Sequence, residues 1–216
     1  MELNKFIDHT LLKNTATEKD FENLFTEASD NSFFSVCVPP HIVPFAKNTL
    51  LSTSVQICSV AGFPLGYSTL DNKETEIIEL FANGCDEVDV VLNISNVKNE
   101  DWESVEDEFK VFSEISINRN LKVIIESGIL TDDEIIKICE IANTHPVTFL
   151  KTSTGFAEKS ASLEAVRLIR KHANKEILIK ASGGIKNTEQ AINFIEAGAD
   201  RLGCSASVII VEGQKS

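Results

Sequence analysis

The stretch "VTFLKTSTGF" (147–156) sets an apolar run against a lysine and then a string of small residues, and "ILIKASGG" (177–184) repeats the arrangement. Val147 to Leu150 reads as a buried strand that ends in Lys151. Ile177 to Ile179 reads as another, closed by Lys180. Runs that are apolar throughout, rather than alternating, suit strands covered on both faces, which is the condition of a parallel sheet between helices. Two ammonium groups at the ends of buried strands, each ahead of turn-forming residues, ask for a chemical reason.

Outward from these two, the same reading yields a regular series of strands: "FIDH" (6–9), "FFSVCV" (33–38), "VQICSV" (55–60), "EVDVVL" (87–92), "KVIIES" (122–127), "VTFLK" (147–151), "ILIKA" (177–181) and "DRLGC" (200–204). The first and last are short and carry charge. Amphipathic segments lie between them. In 17–30, Phe21, Leu24, Phe25 and Ala28 fall at helical spacing behind a capping Thr17. Segment 68–84 closes on Gly84, and 101–116 places Trp102, Val105, Phe109 and Phe112 on one face. Segment 131–145 opens with Thr131 and has Glu134 three residues on, a capping box. Segments 160–174 and 187–198 follow the scheme, the latter ending on Gly198.

Strands alternating with helices imply a parallel sheet with right-handed crossovers. Eight units in 216 residues predict an α/β fold, a single (β/α)8 TIM barrel occupying 1–216 as one domain. The rival is a doubly wound open sheet, but no G-x-G-x-x-G or G-x-x-x-x-G-K-[ST] opens a helix near the N-terminus.

Composition narrows the function. A hydrophobic fraction of 43% and a charged fraction of 25% are ordinary for a globular protein. No apolar segment approaches the ~18–20 residues that span a bilayer. "MELNKFIDHTLLKN" lacks the basic-then-apolar order of a signal peptide, so a cytoplasmic location is expected. A net charge of −13 argues against nucleic-acid partners, although local lysines and backbone N–H groups can still hold a small anion. The cysteines (37, 58, 85, 139, 204) and histidines (9, 41, 145, 172) are scattered without C-x-x-C, H-x-H or H-E-x-x-H spacing, so no metal or other cofactor is expected.

In parallel barrels the active site forms at the C-terminal strand ends. Those ends here hold Asp8 and His9, Cys37, the loop "AGFPLGYST", Asp89 with Asn93, Glu126, Lys151, Lys180 and "GCSAS" (203–207). Lys151 and Lys180 would end the sixth and seventh strands, which are neighbours. Each could simply extend its ammonium to water. As a pair they have a mechanism: a second ammonium and partial desolvation disfavour the charged form, and a neutral amine attacks a carbonyl to form a Schiff base. Gly183 and Gly184 precede a helix that opens near Asn187 or Thr188, and Thr154-Gly155 follows the sixth strand. That is where barrels bind phosphate through backbone N–H groups. Asp89, inside a Val-rich run, reads either as a structural partner for a lysine or as a proton relay beside the amine. Asp86 and Glu87 are expected to face solvent, and His9 reads either as a polar core residue or as a site residue, with the structural reading preferred.

"FIDHTLL", "SVCVPP", "GFPLGYST", "NGCDEVDVVLNI", "KVIIESGIL", "FLKTSTGF", "IKASGGIK" and "ADRLGCSAS" together resemble the motifs of deoxyribose-phosphate aldolases, from about residue 6 to 207. The resemblance implies a class I, metal-independent aldolase that reversibly cleaves 2-deoxy-D-ribose 5-phosphate to acetaldehyde and D-glyceraldehyde 3-phosphate, and a homodimer. It assigns Lys151 as the Schiff-base nucleophile, Lys180 as the neighbour that lowers its pKa, and Asp89 as a proton carrier working through Lys180 and water. Gly155, Gly183, Gly184, Gly203 and Ser205 would frame the phosphate with Thr154 and Lys186, and Thr10 would line the pocket. Phe156 stands where some members have Lys, Lys186 where some have Arg, and Ala206 where some have a second Ser. The tail "VIIVEGQKS" carries no terminal Tyr. The grip on phosphate should therefore rest more on backbone and on a point charge. Two rivals stay open: another phosphate-binding barrel enzyme, such as an isomerase or a Schiff-base aldolase with a different aldehyde pair, and a non-catalytic phosphosugar-binding barrel.

Overall fold

The computed structural model describes residues 1–214; Lys215 and Ser216, at the end of the "VIIVEGQKS" tail, lie outside the described residues. Eight parallel strands close into a barrel in chain order: β1 (Ile7–Thr10), β2 (Ser35–Cys37), β3 (Gln56–Ala61), β4 (Glu87–Val91), β5 (Asn120–Ile124), β6 (Phe149–Lys151), β7 (Leu178–Ser182) and β8 (Arg201–Cys204). All eight expected strands are present, including the two short charged ones. Strand β1 pairs with β8 through Ile7 and Leu202, which closes the ring.

The helices are α1 (Glu18–Asp30), α2 (Val43–Leu50), α3 (Leu70–Asn83), α4 (Ile94–Lys98), α5 (Trp102–Ile115), α6 (Asp132–Thr144), α7 (Leu163–His172), α8 (Thr188–Glu196) and α9 (Ser207–Glu212). Their ends follow the expected chemistry. Thr17 and Asp20 form a capping box at α1, and Thr131 and Glu134 form one at α6. Gly84 and Gly198 leave α3 and α8 with φ of 107° and 113°. Helix α2 had no counterpart in the sequence reading. Pro44 sits in the helix's first turn, where its missing N–H costs nothing. The fifth strand ends at Ile124 rather than 127, because Glu126 turns left-handed and Ser127–Ile129 form a 3-10 turn.

The apolar core lies between strands and helices. On α5, Val105, Phe109 and Phe112 are fully buried, as their spacing predicts. Each such phenylalanine contributes about 1.5–3 kcal/mol by leaving water. The loop from β3 to α3 is drawn in close to the end of β4. Gly66 there has φ 74°, and a Cβ at that position would collide with the Leu92 carbonyl oxygen. Gly66→Ala is therefore expected to lower unfolding stability by about 1–3 kcal/mol, read as a reduced urea midpoint with unchanged slope.

Candidate active site

Contacts that cross the barrel identify what fills its lumen. Asp89 on β4 meets Lys180 on β7, and Lys122 on β5 lies 4.0 Å from Asp8 on β1. At the catalytic end the lumen is filled with charge. Lys151 Nζ and Lys180 Nζ stand 2.8 and 2.9 Å from the same atom, Asp89 Oδ2, while Lys122 Nζ stands 2.9 Å from Oδ1. Lys151 and Lys180 are register partners on β6 and β7, as the expected strand order requires. Lys180 also pairs with Asp8. Below them, Lys122 is 2.6 Å from Glu87, and Arg201 bridges Asp8 and Glu87 at 2.8 and 3.1 Å. The Arg201 guanidinium lies 3.4 Å over the Phe34 ring.

All seven charged groups are buried, from 0% exposure at Asp89, Lys122 and Lys180 to 3% at Lys151 and 6% at Arg201. An isolated ion buried this deeply costs several kcal/mol, so each is tolerable only in contact with its partners. Glu87 corrects the sequence reading: the segment's start suggested solvent, yet its carboxylate is enclosed and holds Lys122 and Arg201. Asp86 is exposed as expected, and its Oδ2 accepts the Ile57 N–H at 2.8 Å. The lysines do not reach to water.

Burial alone would raise the Asp89 pKa, but Lys122, Lys151 and Lys180 outweigh it and hold the carboxyl well below its ordinary 3.8. Asp8 is lowered likewise: burial opposes, and Lys180, Arg201 and Lys122 prevail. Lys122 and Lys180 move the other way. Burial works against their charge, but Asp89 and Glu87 at Lys122, and Asp8 and Asp89 at Lys180, raise both well above 10.5. Lys180 is thus held as an ammonium between two carboxylates. Lys151 touches one carboxylate, and it alone of the three clustered lysines faces the open cavity above.

That cavity, about 340 Å³, is lined by Lys151 and by all eight of the expected binding residues: Thr10, Thr154, Gly155, Gly183, Gly184, Lys186, Gly203 and Ser205. Asp89 and Lys180 lie beneath its floor. Gly183 and Gly184 take φ of 91° and 78°, conformations that place them out of reach of other residues without strain. They lead into α8, whose N-terminal N–H group at Gln190 is capped by Asn187. Gly203 is required by space, since a Cβ there would sit 2.8 Å from Ser182 Cβ and 3.1 Å from Lys180 Cε. Thr154 lines the cavity, but its N–H and hydroxyl are both directed at Glu126. Lys13 is a second cavity cation that the sequence reading passed over.

His9 is buried, with Nδ1 2.9 Å from Ser207 Oγ and Nε2 2.8 Å from Glu27. Burial lowers its pKa against the pull of Glu27. It is a core residue, as read. A larger hollow of about 520 Å³ between the segment after β1 and α1 contains none of the clustered lysines. The barrel also brings together two cysteines that look unrelated in sequence: Cys37 and Cys58 are register partners beside Asp89. Lys122 bridges two members of this trio, with Nζ 3.4 Å from Cys58 Sγ and 2.9 Å from Asp89.

A buried amine at the end of β6, facing a glycine-lined cavity at the ends of β7 and β8, is the architecture of a barrel aldolase. Residues 3–206 match the model of the DeoC/LacD family aldolases. The chain belongs to this family. It is 44% identical over 214 residues to a deoxyribose-phosphate aldolase of Streptococcus uberis, covering 99% of this chain and 97% of that one. A Lactococcus lactis deoxyribose-phosphate aldolase is 43% identical over 216 residues, covering 100% and 98%. Among solved structures, the deoxyribose phosphate aldolase of Aeropyrum pernix, described as a unique tetramer, superposes with a TM-score of 0.90 at 32% identity, covering 99% of this chain and 91% of that one.

Two outcomes test the cluster. Lys122→Met should cost about 3 kcal/mol in urea unfolding, because it takes the ammonium from Asp89 Oδ1 and leaves Arg201 as the one ion-pair partner of Glu87, and adding Glu87→Gln should return part of that loss. Asp8 and Asp89 have lowered pKa values, so their contribution is present above their ordinary 3.8 and is lost as pH falls below it. Unfolding free energy should accordingly drop below about pH 3.8, with a shallower drop in Asp89→Asn.

Proposed function

We propose that this barrel is a class I aldolase that reversibly cleaves 2-deoxy-D-ribose 5-phosphate to acetaldehyde and D-glyceraldehyde 3-phosphate, serving deoxyribose phosphate catabolism in the cytoplasm. The observation that carries the reading is Lys151: it is an amine on a buried carboxylate cluster and also a wall of the cavity.

The neutral Lys151 amine attacks C1 of the open-chain sugar, and loss of water leaves an iminium. The C3 hydroxyl gives up its proton, the C2–C3 bond breaks, and its electron pair moves into the iminium to give an enamine. Glyceraldehyde 3-phosphate leaves, C2 of the enamine takes up a proton, and hydrolysis frees acetaldehyde and the amine. Asp89 is the nearest carrier for these protons, through water and the Lys180 ammonium on the same oxygen. A carboxylate facing three ammoniums is a weak base, so this role begins once Lys151 has become neutral. At the far end, Lys13, Lys186, Ser205 and the backbone at Gly183, Gly184 and Gly203 take the phosphate. Phe156 places a ring at the rim where a further cation would stand in some relatives, so the grip depends on backbone donors and point charges.

Borohydride trapping with deoxyribose 5-phosphate, read by peptide mass, is expected to give one adduct, on Lys151, that is absent in Lys151→Ala. An adduct on Lys180 would reverse the two roles. Trapping without acetaldehyde release would favour a Schiff-base aldolase with another aldehyde pair, and ligand-induced stabilisation with no adduct would favour a binding barrel. Turnover should survive a chelator. The assembly proposed is a homodimer, and sedimentation equilibrium showing only a 23.8 kDa species would count against it.

A further inference from the structure

We infer that Glu126 is a positioning residue for Lys151, a role that rests on Lys151 being the Schiff-base amine. Among the described residues, four other than glycine have a left-handed backbone: Ser32, Glu100, Asn118 and Glu126. The first three lie in exposed turns, whereas Glu126 is 5% exposed, with φ and ψ both 51°. Such a conformation is disfavoured for any residue with a Cβ, and glycine would relieve it. The side chain supplies the reason to keep glutamate. Its two oxygens accept the Thr154 N–H at 3.3 and 3.2 Å, and one accepts the Thr154 hydroxyl at 2.5 Å. Thr154 Oγ1 in turn accepts the Phe156 N–H at 3.1 Å. Among the described residues no lysine, arginine or histidine forms an ion pair with this carboxylate, so N–H and O–H donors of the next strand's loop are what it holds.

That loop, Thr152 to Phe156, begins at the residue after Lys151 and is gripped from both sides. On the β5 side, Ile125 N–H donates to the Lys151 carbonyl at 3.0 Å and Ser127 N–H to the Thr152 carbonyl at 2.7 Å, with the Glu126 side chain reaching on to Thr154. The left-handed turn at 126 lets main chain and side chain bind three successive points of the neighbouring segment. On the β7 side, Thr152 N–H donates to the Lys180 carbonyl at 3.0 Å, and Ser182 Oγ to the Ser153 carbonyl at 2.5 Å. The β7 grip is neutral; the β5 grip ends in a carboxylate, whose charge-assisted bonds are the stronger kind. Together they fix the backbone from which the amine projects. Displacement of a reacting group by about 1 Å can cost 10²-fold in rate.

The test is steady-state kinetics with trapping by both deoxyribose 5-phosphate and acetaldehyde, which has no phosphate. Glu126→Ala is expected to lower kcat about 100-fold, with a much smaller change in KM, and to slow adduct formation with acetaldehyde in proportion. Glu126→Gln keeps an acceptor and should recover to within about tenfold of wild type. Thr154→Ser keeps both donors and should retain a kcat well above that of Thr154→Val, which should fall with Glu126→Ala. The double variant should be no worse than either, because both remove one interaction. Near-native kcat in Glu126→Ala, multiplying effects in the double variant, or a loss confined to KM for the phosphosugar would overturn the inference while leaving the Lys151 chemistry standing. If Glu126→Ala does not fold, the contrast between Thr154→Ser and Thr154→Val decides in the same way. No adduct in the wild type would overturn the Schiff-base reading and this role with it.

Discussion

One carboxylate, Asp89, receives ammonium groups from three consecutive strands, and the interior of the barrel is organised around that convergence. Barrels of this type commonly fill the lumen with layers of branched apolar side chains. Here the apolar residues are concentrated between strands and helices, and the lumen carries Asp8, Glu87, Asp89, Lys122, Lys151, Lys180 and Arg201. Buried ion pairs of this kind gain little net stability over hydrocarbon of the same volume, because desolvation offsets attraction. What they provide is position. Each ammonium has a carboxylate oxygen that fixes it, and most members are held by more than one partner of opposite charge.

The charge count inside the lumen bears on reactivity. With every group ionised, the four cations Lys122, Lys151, Lys180 and Arg201 face the three carboxylates Asp8, Glu87 and Asp89, an excess of one positive charge. Removal of a single proton balances the set. Arg201 does not give up a proton, Lys122 has Glu87 as well as Asp89, and Lys180 has Asp8 as well as Asp89. Lys151 has Asp89 alone and is the member that faces the cavity. The amine proposed to lose its proton is thus the one whose loss disturbs the fewest contacts. The sequence reading had Lys180 acting on Lys151 directly. The geometry puts a shared oxygen between them, so the influence of Lys180 passes largely through its competition for Asp89.

The barrel was legible because its strands are covered on both faces and read as continuous apolar runs, and because capping threonines and terminal glycines mark most helices. Lys151 and Lys180 were legible because each closes such a run, on the side where barrels build sites. Lys122 and Glu87 were not, since both stand near the start of a strand segment, where a charged residue ordinarily means solvent. Only ring closure reveals that these positions face each other across a lumen. Arg201 and Asp8 sit in the short first and last strands, where charge weakened the strand reading itself. Thr154 does line the cavity, as its place after the sixth strand suggested, but pattern cannot show that its N–H and hydroxyl are directed at Glu126.

The same geometry explains how a chain with a net charge of −13 can receive an anionic substrate. Overall charge acts at long range and is screened within about 8–10 Å at ordinary ionic strength. Inside the cavity the relevant sources are nearer: Lys13 and Lys186 at the rim, and glycine N–H groups that a side chain would otherwise crowd. A phosphate at the ends of β7 and β8 meets positive potential on each of these sides. On the proposed reading, the groups that would orient the sugar phosphate are separate from the buried cluster that holds Lys151 and Lys180, and Lys151 is the one member common to both.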